Sequence, residues 1–549
     1  MVTKIKLAKQ ILEMVETLRR AAFQLYDIID DKKANYNEFV QLMFEMLSKM
    51  TSPLQQLSIE EPAIMSPLMC KNVIASLLHV VALKETLPKR ACQKIEFELL
   101  PLINELYVDL YFWGLCYPDR EKMWNYYRKE MPLLCPLPSE ENGTYRYEVS
   151  IVVVAYNKLE YTKLCVEYLE KYFPNNISHE LILVNNGSDD GTMEFFESIC
   201  SEKQIDIKYN TKCFSAVSRI IEGKYVLFVS NDVLYTPHAV ENMLTCIKSD
   251  ETIGCVVPTC PNVSNLQTFS AQYSNLNEMF QFAEQNNKKS DPFRWEQRTR
   301  LIMPTVLARS NTVGIHAFFG YLYPFYKERF LAFPDDLMSF VLRRNGLKCV
   351  LAKDAYVYHF GSVTIREDTE KNQLIFQEGR SEFERIFRIN PWGIGFCFDP
   401  TLMEALSPQN NESVNILGVN CGMGSNPLKI KEILLEEKQN SKVKIYNITD
   451  RIQYEKDQKG VSDHFQFIQN WNKKVGTLFP EIVFSYIIVE DIDKRKNAIK
   501  IINNLFIRLS NGGKMAVKSD NMFFLNGLEK LSEKHQRIKS WIIVEKTGV

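Results

Sequence analysis

The sequence predicts a multidomain α plus α/β protein, with a helical N-terminal unit followed by two α/β units. Three observations carry this expectation. Apolar residues near the N-terminus recur at helical spacing, continuous β-branched runs take over from Glu148, and a second strand–glycine turn–helix pattern begins near Val414. At 549 residues the chain exceeds what one hydrophobic core serves, so about three or four units are expected.

Residues 1–135 read as a helical bundle. Ile5, Ile11, Leu12, Val15, Leu18, Ala22 and Leu25 recur at three- and four-residue steps, which makes one buried stripe on an amphipathic helix. NEFVQLMFEMLSKM, CKNVIASLLHVVALKE and CQKIEFELLPLINELYVDLYFWGLCY follow the same rhythm, and Pro53, Pro62, Pro67 and Pro88 are expected to separate the helices. A four-helix bundle or helical-hairpin array fits, and no fixed-period repeat is visible. Tyr107, Tyr111, Phe112 and Trp113 on the last helix read as core rather than as a docking face. Residues 136–147, with Pro136, Pro138 and Asn142-Gly143, read as a linker.

Composition narrows the function classes. Lys and Arg number 66 against 67 Asp and Glu, so no global charge draws the chain to nucleic acid or an anionic membrane. The 13 cysteines include no CxxC pair, which suits neither a zinc site nor a disulfide framework; packed, reduced thiols are expected. No stretch approaches the ~20 apolar residues of a membrane span. MVTKIKLAKQ lacks the apolar core of a signal peptide, and the expected location is cytoplasmic.

From Glu148, VSIVVVAYN, ELILVNN, KYVLFVSND and GCVVPT read as buried strands of an open α/β sheet. Ligands of such sheets sit beyond the carboxyl ends of the strands, so the polar residues ending these runs are the candidates. Taken in order, SIVVVAYN, LILVNNGSDDGT, KYVLFVSNDVLYTPHAVENML, FPDDLMSFVLRRNG and LKCVLAKDAYVYHFGSVT resemble glycosyltransferase family 2, which has the GT-A fold, over roughly residues 148–395.

The resemblance implies a nucleotide-sugar donor. It puts Val154, Ala155, Tyr156 and Asn157 along the nucleoside, with Tyr156 suited to pack on uracil. Asn185, Asn186, Gly187 and Ser188 would form the second nucleotide-binding turn, Asn186 meeting the base where many members carry an acid. Ser230-Asn231-Asp232 stands at the metal-binding triplet. Asp232 would hold Mn²⁺ or Mg²⁺ because the diphosphate leaving group needs a hard cation to neutralise it. The HxGS segment resembles a bacterial branch of the family and implies His359 as the second metal ligand, with Ser362 and Thr364 near phosphate. Asp335 corresponds to the catalytic base of an inverting transfer, with Asp336 beside it; Pro334 and Leu337 depart from the usual acidic pattern. Gly320 would sit near the donor sugar, Trp295 and Glu296 on the acceptor side, and Arg219 or Lys212 within reach of the pyrophosphate.

After a linker at 396–413, residues 414–549 resemble the class I methyltransferase fold, a Rossmann-like α/β unit. Gly418 replaces the usual acidic residue and Asn420 the first glycine, while Gly422 and Gly424 remain. Asp450 either holds a ribose or caps the strand end. A non-catalytic or acceptor-binding role is expected, with S-adenosylmethionine binding as the alternative. The whole reads as an inverting transferase. UDP-N-acetylglucosamine is the donor implied by resemblance, and a protein hydroxyl, such as flagellin Ser/Thr, the acceptor. The rivals are surface-polysaccharide synthesis, transfer to a peptide cysteine, a methyltransferase with a degenerate sugar-binding unit, and a non-enzymatic nucleotide-sugar adaptor.

Overall fold

The computed structural model describes residues 2–29, 35–60, 66–84, 99–116, 145–206, 220–268, 271–312, 334–361, 397–408, 413–438, 442–468 and 478–547, with isolated residues between. Gly320, Ser362, Thr364, Lys212, Arg219 and residues 136–144 of the expected linker lie outside the described residues.

Helices α1 (Val2–Ile28), α2 (Tyr36–Glu60), α3 (Ser66–Lys84) and α4 (Leu100–Tyr111) share one apolar core. Its α1 contribution is Ala8, Ile11, Leu12, Val15, Leu18, Ala22 and Leu25. Pro53 does not separate two helices: α2 runs through it. Losing a backbone bond there costs about 3 kcal/mol, whereas burying Leu54 and Leu57 one turn on contributes about 1.5–3 kcal/mol each. Pro67 stands in the first turn of α3, where its missing N–H is harmless. Phe112 is buried in the same core, with Tyr107 and Tyr111 packed against it. That core also takes in Leu337, Phe340, Val341 and Met423 from much later in the chain.

The central sheet has eight strands in the order β3-β2-β1-β4-β8-β6-β9-β7. Its members are β1 (Tyr147–Ala155), β2 (His179–Asn185), β3 (Lys203–Asp206), β4 (Gly223–Ser230), β6 (Ile253–Thr259), β7 (Trp295–Arg298), β8 (Thr305–Arg309) and β9 (Lys348–Tyr356). β1 runs parallel to both β2 and β4, so the order reverses at β1 and leaves a crevice at the carboxyl ends of β1 and β4. Helix α5 (Leu159–Tyr172) follows β1 and buries Cys165, Val166 and Leu169. At the opposite end of the sheet a buried carboxylate, Glu180, is held by Ser150 Oγ, Lys203 Nζ at 2.7 Å and the Glu222 N–H.

Two short strands, β5 (Val233–Leu234) and β10 (Tyr358–His359), pair antiparallel, with His359 opposite Val233. Helix α6 (Pro334–Arg344) lies under the sheet; Met338 and Leu342 join the central core.

The C-terminal sheet has seven strands, β11 (Val414–Val419), β12 (Val443–Thr449), β13 (His464–Phe467), β14 (Phe484–Val489), β15 (Leu509–Lys518), β16 (His535–Ile538) and β17 (Trp541–Glu545). Their order is β13-β12-β11-β14-β15-β17-β16, with β17 alone antiparallel to its neighbours. Helix α7 (Ser425–Lys438) covers β7, the edge of the central sheet: Lys429 Nζ lies 2.8 Å from Glu296 Oε1, and Glu432 accepts from the Gln297 N–H. Among the described residues no helix is long and apolar enough to cross a membrane.

Candidate active site

The loop after β1 is shaped by two left-handed residues, Asn157 and Lys158, and stitched to the turn after β2. The Asn157 N–H donates to Ser188 Oγ at 2.8 Å, and Asn157 Oδ1 accepts from the Asp189 N–H. Asn185 donates to Asp206 Oδ1 and accepts from the Ser188 N–H, while Gly187 takes a φ of 91° that suits glycine. Asp190 joins both turns; partial burial would raise its carboxyl, but hydrogen bonds from Thr192 and the Leu159 N–H hold it below the usual carboxylate range. Asn157, Asn185 and Ser188 thus build the crevice wall. Asn186 is buried there, its N–H donating to the Ala155 carbonyl. Tyr156 remains 40% exposed, a free aromatic face at the mouth.

Asn231, at the carboxyl end of β4, donates from Nδ2 to the Asn157 carbonyl and to Thr162 Oγ1 at 2.9 Å, and its N–H bonds to the Val154 carbonyl. It is a staple between β4, the β1 loop and α5. The next residue, Asp232, faces the crevice, and the β5/β10 ladder brings His359 against it: Nε2 lies 3.3 Å from Asp232 Oδ2. The Phe360 N–H donates to the Asp232 carbonyl, and Asn262 Nδ2 to the His359 carbonyl. Both side chains are largely buried, and His359 Nδ1 has no hydrogen-bond partner among the described residues. The nitrogen that faces Asp232 is Nε2, so a cation held by both residues would sit on that side of the ring.

Two thiols flank this pair without offering softer ligands. Burial, and then the Asp232 charge, push Cys165 and Cys260 up to about 12, so both stay protonated near neutrality. A carboxylate and an imidazole remain, a donor set that fits Mn²⁺ or Mg²⁺ completed by phosphate and water oxygens. Among the described residues no group of three or more His, Cys, Asp or Glu gathers at one point, and Asp232 and His359 stand as a pair.

Asp335 and Asp336 start α6 and part at once. Asp336 is buried and paired with Arg300 through both oxygens. Asp335 accepts from the Met303 N–H at 3.3 Å. Loss of solvent, and then the neighbouring Asp336 charge, push its carboxyl up to about 6; Arg300 and His359 pull the other way. The carboxylate and the Asp232–His359 pair are tied to one stretch of backbone. Residues 300–304 join them: the Pro304 carbonyl accepts from Ser230 at the end of β4. Arg300 and the Met303 N–H were not singled out in the sequence, because nothing local distinguishes them.

Glu296 lines no surface, and the half-buried Trp295 is tied inward. Trp295 Nε1 donates to Asp354, and Glu296 is buried beneath α7. Burial alone would raise Glu296, but Arg298, Lys429 and Lys353 draw it down to about 2. The cause is tertiary: β7 is an edge strand that the C-terminal unit covers.

The glycine turn after β11 is closed. A Cβ on Gly418 would come within 2.0 Å of Asn447 Oδ1, and one on Gly424 within 2.6 Å of Val461. Gln458, on α8 (Glu455–Gly460), donates to the Gly422 carbonyl at 2.8 Å, and Met423 is fully buried against the helical core. Asp450 is paired with Arg495 and lies 3.8 Å from Arg451. Asn420 accepts from Thr449 Oγ1 and the Asp450 N–H. A ribose would have to compete with Arg495 for Asp450, whose Oδ1 has no hydrogen-bond partner among the described residues.

Residues 150–328 match the model of glycosyl transferase family 2, which supports glycosyltransferase activity and a central unit of the GT-A type. No curated protein shows significant sequence similarity to the chain. Among solved structures the chain is similar to GalNAc-T7 with UDP, GalNAc and Mn²⁺ (11% identity, 41% of this chain and 46% of that one, TM-score 0.29). It is also similar to the mannosyltransferase PcManGT from Pyrobaculum calidifontis with GDP-Man and Mn²⁺ (14%, 43% and 64%, 0.27) and to residues 1–349 of S. aureus TarS (14%, 44% and 72%, 0.28). The match thus spans less than half of GalNAc-T7 and under two thirds of PcManGT.

Proposed function

We propose that the chain is an inverting, metal-dependent glycosyltransferase that moves N-acetylglucosamine from UDP to a hydroxyl of a protein acceptor such as flagellin. One observation carries the reading: Asp232 and His359, 127 positions apart, lie 3.3 Å from each other at the sheet's switch point. The family match over residues 150–328 supports the same conclusion. Bound at Asp232 and His359, Mn²⁺ or Mg²⁺ supplies the positive charge that stabilises the departing diphosphate.

The chain's own residues do the rest. Tyr156 offers an aromatic face to the base, and Asn186 stands behind it. Asp335 takes the acceptor hydroxyl's proton as the glycosidic bond forms; a carboxyl raised toward neutrality holds that proton better than an ordinary aspartate. Arg300 keeps Asp336 compensated, so that Asp335 is the carboxylate left to act. The large flanking units suit a macromolecular acceptor, and the donor would be met in the cytoplasm. The strand order of residues 414–549 supports a methyltransferase-like fold, and its closed glycine turn supports a non-catalytic role.

A panel of nucleotide sugars incubated with the chain and Mn²⁺ tests this, because slow donor hydrolysis needs no acceptor. Metal-dependent release of UDP from one sugar is the expected result. No hydrolysis of any donor, together with calorimetric binding of S-adenosylmethionine, would sink the proposal.

A further inference from the structure

The helix that presents the proposed base belongs to no single unit. Along α6, Leu337, Phe340 and Val341 are buried in the helical N-terminal core, and Met338 and Leu342 in the central core. Its last two residues reach the C-terminal unit. Arg343 Nη2 donates to Asp457 Oδ1 at 2.9 Å, while Arg344 donates to Asp457 Oδ2 from Nε at 3.1 Å and from Nη2 at 3.0 Å. Arg344 also stacks over Phe340, 3.7 Å from the ring centre, and bonds to the Gln453 carbonyl. Asp457 is fully buried on α8, so one carboxylate neutralises two cations away from water. Fork-like, charge-assisted pairs of this kind fix orientation as well as proximity.

The geometry carries back to the other end of the helix. Asp336, Ser339 and Arg343 stand three and four residues apart, hence on one face. That face is fastened at each step: Asp336 to Arg300, Ser339 Oγ to the Leu301 N–H, and Arg343 to Asp457. Burial raises the Asp336 carboxyl, and Arg300 and then Arg343 pull against that rise. We infer that Asp457 is a positioning residue for the Asp335 base: by clamping Arg343 and Arg344 it sets the rotation and axial position of α6. Asp457 touches no substrate. Its effect reaches the reaction through the placement of Asp335, which gives residues 414–549 a part in the transfer that needs no cofactor of their own.

The inference rests on Asp335 acting as the base, and the test separates the two ideas. Donor hydrolysis by the intact chain, with Mn²⁺ and the sugar the panel selects, is compared for Asp335→Asn, Asp457→Asn and Asp457→Glu. Asp457→Asn is expected to lower kcat by roughly 10- to 100-fold, the cost of about 1 Å of misplacement. The donor KM should stay within about twofold, because the β5/β10 bridge holding the metal pair does not depend on α6. Asp457→Glu should recover part of the loss. Wild-type kcat in folded Asp457→Asn overturns the inference, as does a KM that rises as steeply as kcat falls, which reports general loosening. An Asp335→Asn chain with undiminished hydrolysis removes the base assignment itself. Should Asp457→Asn not fold, Arg344→Gln removes one arm of the clamp and carries the same readouts.

Discussion

The carboxyl end of the central sheet and the carboxyl end of the C-terminal sheet occupy equivalent places in two α/β units, yet one is open and the other sealed. In the central unit Tyr156 is 40% exposed, and the buried Asp232–His359 pair leaves Nδ1 without a partner among the described residues. In the C-terminal unit Asp450 is tied to Arg495, the Gly422 carbonyl to Gln458, and Met423 is buried in another unit's core. Backbone topology sets where a ligand could bind. Whether one does depends on what already holds the charged groups there, since a partner already in place makes any ligand compete with it.

The sharpest way to break this comparison is chemical. Asp335→Asn should reduce kcat for donor hydrolysis by ~10²–10⁴-fold, the usual worth of a general base. The activity should also fall as the medium is acidified: kcat/KM drops about tenfold per pH unit below about 6, where burial has pushed Asp335. An acid limb near pH 4 instead would show that another group titrates.

Removing either metal ligand comes next. Asp232→Asn and His359→Ala should each weaken Mn²⁺ binding, measured by calorimetry with UDP present, by more than the ~10–100-fold typical of losing an outer partner. Unchanged affinity in both would make the pair an ordinary buried contact.

A smaller effect runs opposite to the first. The folded chain holds the Asp335 proton more tightly than an unfolded one, so stability present below pH 3.8 is lost as pH rises through about 6. The rise from 3.8 to about 6 corresponds to ~3 kcal/mol. Asp335→Asn should therefore raise the melting temperature at pH 7.5 in metal-free buffer while abolishing activity, a trade-off expected of a strained functional site. A fall in melting temperature would mean that the carboxylate is structural.

At the sealed end the expected effect is nil. S-adenosylmethionine at millimolar concentration should not shift the melting temperature, whereas any bound ligand stabilises by RT ln(1 + [L]/Kd). A saturable shift would reopen the C-terminal turn as a site.

Particular residues show how far reading the chain alone could go. The stripe from Ile11 to Leu25 and the buried strands before Tyr156 and Asn186 were visible, because burial imposes periodicity that local sequence records. The candidates Asp232, His359 and Asp335 were visible through motif resemblance. Sequence singled out Asp232 for the metal but not that its neighbour Asn231 staples the β1 loop to α5. Nor could it tell that Asp335 and Asp336 divide, one hydrogen-bonded to Met303 and the other paired with Arg300.

Sequence by itself thus determined the elements and the short-range chemistry: where strands end, which side chains there can ionise, and which turns need glycine. Tertiary structure alone decided what those groups face. Glu296 lies under α7, Asp457 holds the far end of α6, and Gln458 closes a turn. Each of these contacts joins residues more than 30 positions apart, and a partner at that distance leaves no periodic trace in the chain, because its position is set by how whole layers pack rather than by any local preference.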